Sequence, residues 1–209
     1  MKRKLSDYSE ETSRAYDSFP DFYEEKFQEF FDNFGKELAE KFVPLLKGKS
    51  ILDVGCGPGH FGEFFQAKGL KVLGIDISPA MVTLSQKRKV SAKVLDMKDI
   101  GSLETQFSGI WASASLLHEP KSKAKEIINI FRDALVPQTG LLFISVKEGT
   151  QEGFEVRENQ PGTKRWFSHF TDDEMREFLK KDFEILLSLK TNVEGKFNFL
   201  DYYARRKRA

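Results

Sequence analysis

Residues 51–59 read Ile-Leu-Asp-Val-Gly-Cys-Gly-Pro-Gly. An apolar run ends in an acid, Asp53, and then glycine occupies alternate positions at Gly55, Gly57 and Gly59. A strand that runs into such a loop, followed at once by a helix, is a ligand cradle. Glycine lets the backbone take positive φ and lets a ligand lie against bare main chain. The helix that follows offers unpaired N–H groups.

Alternation continues from this loop. A strand over 50–54 leads to a helix from about Gly59 to Lys68, closed by Gly69. A second strand, 71–75, ends at Asp76, and Ser78-Pro79 supplies an N-cap and a first-turn proline for a helix to about Lys89. A third strand, 92–95, ends at Asp96. A fourth covers about 108–113, a helix about 121–136, and a fifth strand Leu141 to Val146. This order predicts a parallel sheet with helices on both faces and right-handed crossovers. The long segment 147–170 reads as a loop at the strands' carboxyl edge. After a helix at 172–181, two strand-like runs, 183–191 and 197–205, predict an antiparallel hairpin. Residues 7–47 are amphipathic and rich in phenylalanine, with Pro20 breaking them into helices over about 21–34 and 35–46. The expected fold is therefore α/β, Rossmann-like and doubly wound. It has a mostly parallel seven-stranded sheet with a C-terminal antiparallel hairpin and an N-terminal helical lid. It forms one domain over 1–209, with the lid at 1–47 and the core at 48–209.

Bulk properties exclude several classes. The chain has 209 residues, with 33 basic and 32 acidic side chains, so charge gives no reason to expect nucleic acid as a partner. The basic run Ala204 to Arg208 reads as the solvated end of the last strand. No run of about 18 apolar residues predicts a membrane span. The basic N-terminus lacks the apolar core of a signal peptide. With a single cysteine, Cys56, no intrachain disulfide is possible, and a cytoplasmic location is expected. Cys56 sits between glycines that a ligand should cover, which suits a small side chain rather than a nucleophile. The three histidines are scattered, so no metal is expected.

Dinucleotide binders want Gly-x-Gly-x-x-Gly. Here His60 stands where that pattern needs its third glycine, and the acid precedes the first. Asp-x-Gly-x-Gly-x-Gly, with an acid ending strand two and another after strand three, resembles the class I S-adenosylmethionine-dependent methyltransferases instead. The resemblance runs motif by motif over about 50–146, and is to the small bacterial-type group acting on small molecules. It implies S-adenosyl-L-methionine as cofactor. Asp53 and the loop Gly55, Cys56, Gly57 and Gly59 would hold the methionine end. Asp76 would accept both ribose hydroxyls, or else cap the next helix. Ile77 and Met81 would pack on the adenine. Asp96 would accept from its amino group, with Met97 against the ring. Ala112 and Ser113 would border the methionyl group, and Tyr16 resembles that group's lid tyrosine, with helix packing as its plainer reading.

The methyl acceptor should be met by the loops after strands four and five. His118, in Leu-Leu-His-Glu-Pro, is a candidate general base, with an unperturbed pKa of about 6.5; its alternative is a helix cap. Arg165, Trp166 and His169 are candidate acceptor contacts, with Arg165 suited to a carboxylate or phosphate; the aromatics could equally be core. A small-molecule acceptor is expected. The alternatives are a protein or RNA acceptor, or a non-catalytic relative that binds the cofactor. No Asn-Pro-Pro-Tyr-type tetrapeptide follows strand four, where the chain reads Ala-Ser-Ala-Ser.

Overall fold

The computed structural model describes residues 5–156, 158 and 160–208; the basic positions 2–4 lie outside them. The central sheet grows from β1 (Ser50–Val54), which is buried at all but its first residue. β1 pairs in parallel with β2 (Lys71–Asp76) on one side and β4 (Gly109–Ser113) on the other. β3 (Ser91–Val94) extends the first side and β5 (Leu141–Lys147) the second, again in parallel. The last strands, β8 (Phe183–Val193) and β9 (Phe197–Arg206), form a hairpin that adds to β5 antiparallel. The order is β3-β2-β1-β4-β5-β9-β8. The winding reverses between β1 and β4, and open sheets of this kind take ligands at the carboxyl ends beside that reversal.

The helix boundaries follow local chemistry. Gly59, at φ 93°, starts α4 (His60–Ala67). The Ser78 hydroxyl accepts the Met81 N–H to start α5 (Pro79–Lys87). Ahead of β1 lie α1 (Asp7–Ser18), α2 (Pro20–Phe30) and α3 (Lys36–Phe42). Pro20 opens α2 as expected, but residues 31–35 between α2 and α3 widen into a π turn. Gly35 within it allows a close approach: a Cβ there would lie 2.8 Å from the Phe61 ring. α6 (Lys121–Ala134) buries Ala124, Ile127, Ile128 and Phe131, the helical spacing of one apolar face. α7 (Asp172–Leu179) begins with a full capping box between Thr171 and Glu174.

Both faces of the sheet carry a core. One packs Leu52, Val54, Ile110 and Ile144 beneath α6 and α7. The other centres on Trp111, stacked on Phe143 at 3.8 Å and met by the rings of Phe42, Phe61 and Phe65.

Two expectations are corrected. Segment 147–170 is not an open loop: β6 (Glu152–Val156) and β7 (Lys164–Ser168) pair antiparallel within it. The basic C-terminal run is not simply solvated. Arg205 donates to the Thr139 and Leu45 carbonyls and Arg206 to the Leu135 carbonyl, pairing acceptors in the turn at 137–139 and at the ends of the 43–45 helix and α6.

Candidate functional site

At the carboxyl ends of β1, β2 and β4 lies an inner cavity of about 90 Å³. Tyr16, Gly55, Cys56, Gly57, Asp76, Met81 and Ser113 line it among the expected residues, joined by Phe27, Phe30, His60, Ala114 and Ser115. The glycines are required here. Gly55 sits at φ 68° and a Cβ would meet Ser115 Cβ at 2.6 Å; Gly59 at φ 93° would meet Ser85 Cα at 2.9 Å. Gly57, at φ 51°, differs: an added Cβ would touch only Phe27, at 3.5 Å. Its missing side chain leaves room in the cavity, and its left-handed backbone adds a separate strain to any substitution.

Two buried carboxylates flank the loop, and one of them, Asp76, bonds to it. Asp76 accepts the Gly57 N–H on Oδ2 and the Ser78 N–H on Oδ1, both at 2.9 Å. Each oxygen keeps lone-pair capacity for a hydroxyl. Burial pushes Asp76 up to about 6 despite these bonds. Asp53 is 2% exposed, and its Oδ2 has no partner among the described residues. Burial, with a smaller contribution from the Asp76 charge, pushes Asp53 up to about 8. A buried carboxylate of that kind is relieved by a cation.

A chain of hydrogen bonds crosses the site wall. The Trp166 carbonyl accepts from His118 Nδ1 at 2.7 Å, so Nδ1 carries the proton and Nε2 is the acceptor. Tyr16 OH donates to that Nε2 at 2.8 Å, and Arg165 Nη1 donates to Tyr16 OH at 3.3 Å. Burial, aided by the Arg165 charge, lowers His118 to about 3. The imidazole is neutral across the physiological range, and its lone pair is engaged by Tyr16.

A second cavity, of about 340 Å³, opens on the other side of Tyr16. Tyr16, Phe27, Phe30 and Ala114 line both cavities and form the partition between them. Arg165 and His118 line the second cavity, with Lys147, Leu117, Phe167 and Phe199. Trp166 and His169 line neither. β7 alternates its faces, so the Trp166 ring turns to Tyr8 and Phe154 while Arg165 and Phe167 face the cavity. His169 Nε2 instead meets Glu155 at 3.1 Å.

Asp53, Gly59, Ile77, Asp96, Met97 and Ala112 also stand outside both cavity walls. Ala112 is fully buried in the core. The segments after β2 and β3 are covered by α1. Ser13 donates to the Ile77 carbonyl. Asp17 accepts from the Ser78 hydroxyl and the Ala80 N–H. Asp96 accepts the Lys98 N–H, and Lys98 Nζ bridges Asp96 (3.1 Å), Glu119 (2.5 Å) and Ser9 of α1 (3.3 Å). Tyr8 closes this group on Glu119. Sequence reasoning missed Lys98, Glu119 and Lys147. Only Lys147 carried a signal, its place at the carboxyl end of β5.

Comparison with known proteins gives this geometry its context. A family profile described as "Methyltransferase domain" matches residues 51–138. The putative methyltransferase YqeM of Bacillus subtilis is 31% identical over 105 residues, covering 46% of this chain and 42% of that protein. The 18S rRNA (guanine-N(7))-methyltransferase bud23 of Schizosaccharomyces pombe is 27% identical over 142 residues, covering 62% and 49%. The chain thus spans less than half the length of both. In solved structures, the 1,6-didemethyltoxoflavin-N1-methyltransferase of Burkholderia thailandensis, with 1,6-didemethyltoxoflavin and S-adenosylhomocysteine bound, aligns at TM-score 0.71. It is 20% identical and covers 99% of this chain and 93% of its own.

The chain matches the methyltransferase-domain profile over residues 51–138 and shares the Rossmann-like fold of solved S-adenosylmethionine-dependent methyltransferases. The Burkholderia neighbour holds S-adenosylhomocysteine, which makes S-adenosylmethionine the group to test against this cradle. The residues present fit it. The unpartnered Asp53 oxygen suits a cationic amino acid end, the open side of Gly57 gives room, and Asp76 keeps acceptor capacity for ribose hydroxyls.

Proposed function

We propose that the protein transfers the methyl group of S-adenosylmethionine to an O, N or S atom of a small molecule held in the second cavity. The observation that carries this reading is the partition: four residues, Tyr16, Phe27, Phe30 and Ala114, are shared by the cofactor-side cavity and a separate, larger one. An acceptor on the far side of that wall lies next to the methionine end of the cradle. Pockets for small molecules run to roughly 300–1,000 Å³, and the second cavity falls within that range.

Bound S-adenosylmethionine supplies an electrophilic methyl group on sulfur. This chain's residues align and desolvate. Asp53 and the backbone of Gly55 to Gly59 orient the methionine end, and Asp76 the ribose. Tyr16 and Phe27 exclude water from the partition. His118, neutral and bonded to Tyr16, positions that phenol rather than taking the acceptor's proton.

The test is release of S-adenosylhomocysteine from a panel of small phenols, carboxylates, amines and thiols, run beside bulk RNA and protein. Turnover with a small molecule supports the reading. Turnover with RNA or protein alone contradicts it.

A further inference from the structure

We infer that the second cavity takes an aromatic carboxylate, whose anion pairs with Arg165. The inference rests on the methyl-transfer reading, because it names the acceptor of that same site.

Arg165 is 5% exposed and lines the cavity. No carboxylate of the described residues forms an ion pair with it, and its Nη2 has no hydrogen-bond partner. Its contacts are the Tyr16 hydroxyl and the rings of Tyr16, Tyr23 and Phe167, at 5.4, 5.3 and 4.9 Å from the guanidinium carbon. A guanidinium carries its charge at every accessible pH. Buried charges are otherwise paired, because desolvation without a partner is costly. Aromatic faces relieve only part of that cost. A carboxylate supplies the missing partner.

Charge around the cavity favours a single negative charge. At the rim, Lys26 pairs with Glu29 and Lys196 with Glu194, so both cations are matched. Deeper, Lys147 sits over Phe167 at 4.1 Å and faces Glu155 at 3.8 Å. His118 is neutral. Glu155 acts on both Lys147 and Arg165 and offsets one of their two positive charges, leaving a net single positive charge, which fits a monoanion better than a doubly charged phosphate. The walls favour a ring: Tyr23, Phe30, Phe34, Phe167, Phe197 and Phe199 all line the cavity. Because Arg165 is bonded to Tyr16 of the partition, the anion is held beside the transfer path and the acceptor atom lies close to it on the ligand.

The experiment is calorimetry on the full chain. S-adenosylhomocysteine is titrated first; if it does not bind, the methyl-transfer reading fails and this inference with it. With that ligand saturating, benzoate, 2-hydroxybenzoate and 4-hydroxybenzoate are compared with their amides, with acetate and with phenyl phosphate. The expected result is carboxylate over amide by roughly 10- to 100-fold, with no measurable acetate binding. Arg165→Gln should erase the preference and Arg165→Lys should restore part of it. If Arg165→Gln does not fold, the wild-type contrast alone decides. Equal binding of acids and amides, or no aromatic acid binding to a protein that holds S-adenosylhomocysteine, would overturn the inference. Tighter binding of phenyl phosphate than of the benzoates would overturn the monoanion.

Discussion

Tyr16 touches more of this site than any single motif residue. Its hydroxyl joins His118 to Arg165, and its ring packs on Tyr23 and Phe27 while walling both cavities. Burial holds the phenol above its ordinary pKa, so it remains the donor to His118. Tyr16→Phe keeps the ring and removes both hydrogen bonds. Methyl transfer should fall by roughly 10-fold, the worth of one to two buried hydrogen bonds, read as S-adenosylhomocysteine release. The pH–rate profile should show no inflection near 6.5 from His118, because its pKa lies at about 3; a His118-dependent limb near neutrality would show it acting as the base. At the loop, Gly59→Ala forces a side chain against the Ser85 backbone in left-handed geometry. It should cost on the order of 1–3 kcal/mol, measured by denaturant unfolding. Much of this scale was legible in the sequence. Asp53, Gly55, Gly57 and Asp76 declare themselves by spacing along adjoining strand ends. The Lys98–Glu119 contact does not, since it joins two separate loops through a fold the sequence only outlines.

At the scale of elements, α1 is unusual in how it docks. The residues it buries are Ser9, Thr12, Ser13 and Ala15, three of them polar. Its bonds reach the loops after β2, β3 and β4, and the Trp166 N–H of β7 donates to Thr12. Hydrogen bonds of this kind exchange with water at modest net cost, unlike an apolar stripe, so such a helix can lift and re-dock. Asp17→Ala removes acceptors for Ser78 and Ala80. Amide exchange in α1 should then quicken by about 5- to 30-fold while exchange in β1 and β4 stays unchanged. Equal protection of α1 in both proteins would contradict this docking. Element order was readable because Gly, Pro and Ser punctuate it: Gly59, Gly69, Ser78-Pro79 and Pro20 all stand at observed boundaries. The β6–β7 hairpin was not, because Gly149, Gly153 and Pro161-Gly162 look like loop, and its strands gain order by packing on the loop after β4. Gly35 of the π turn at 31–35 lies against Phe61, a contact that local pattern does not encode.

For the whole molecule, the cradle costs stability that its ligand returns. Asp53 has a folded pKa of about 8 and Asp76 of about 6, against about 3.8 for a free aspartate. The folded state therefore binds more protons than the unfolded one between those limits. Stability from these groups is full below about 3.8 and is lost as pH rises through about 6 and then about 8. His118 and His60, held at about 3 and about 4, act in the opposite sense below about 6.5, so the window lies above it: the protein without cofactor should melt at lower temperature at pH 8 than at pH 7, and Asp53→Asn should flatten that slope. A slope of opposite sign, or one unchanged by Asp53→Asn, would show that Asp53 is not held in this state. The most direct test of the central claim, that residues 53–59 and Asp76 form the cofactor cradle, is calorimetric titration of S-adenosylhomocysteine. The wild-type chain should bind one molecule with micromolar affinity, about −8 kcal/mol. Gly57→Ala, which meets only Phe27, should weaken binding at least roughly 10-fold while the protein stays folded. No binding by the wild type, or equal binding by folded Gly57→Ala, would contradict it.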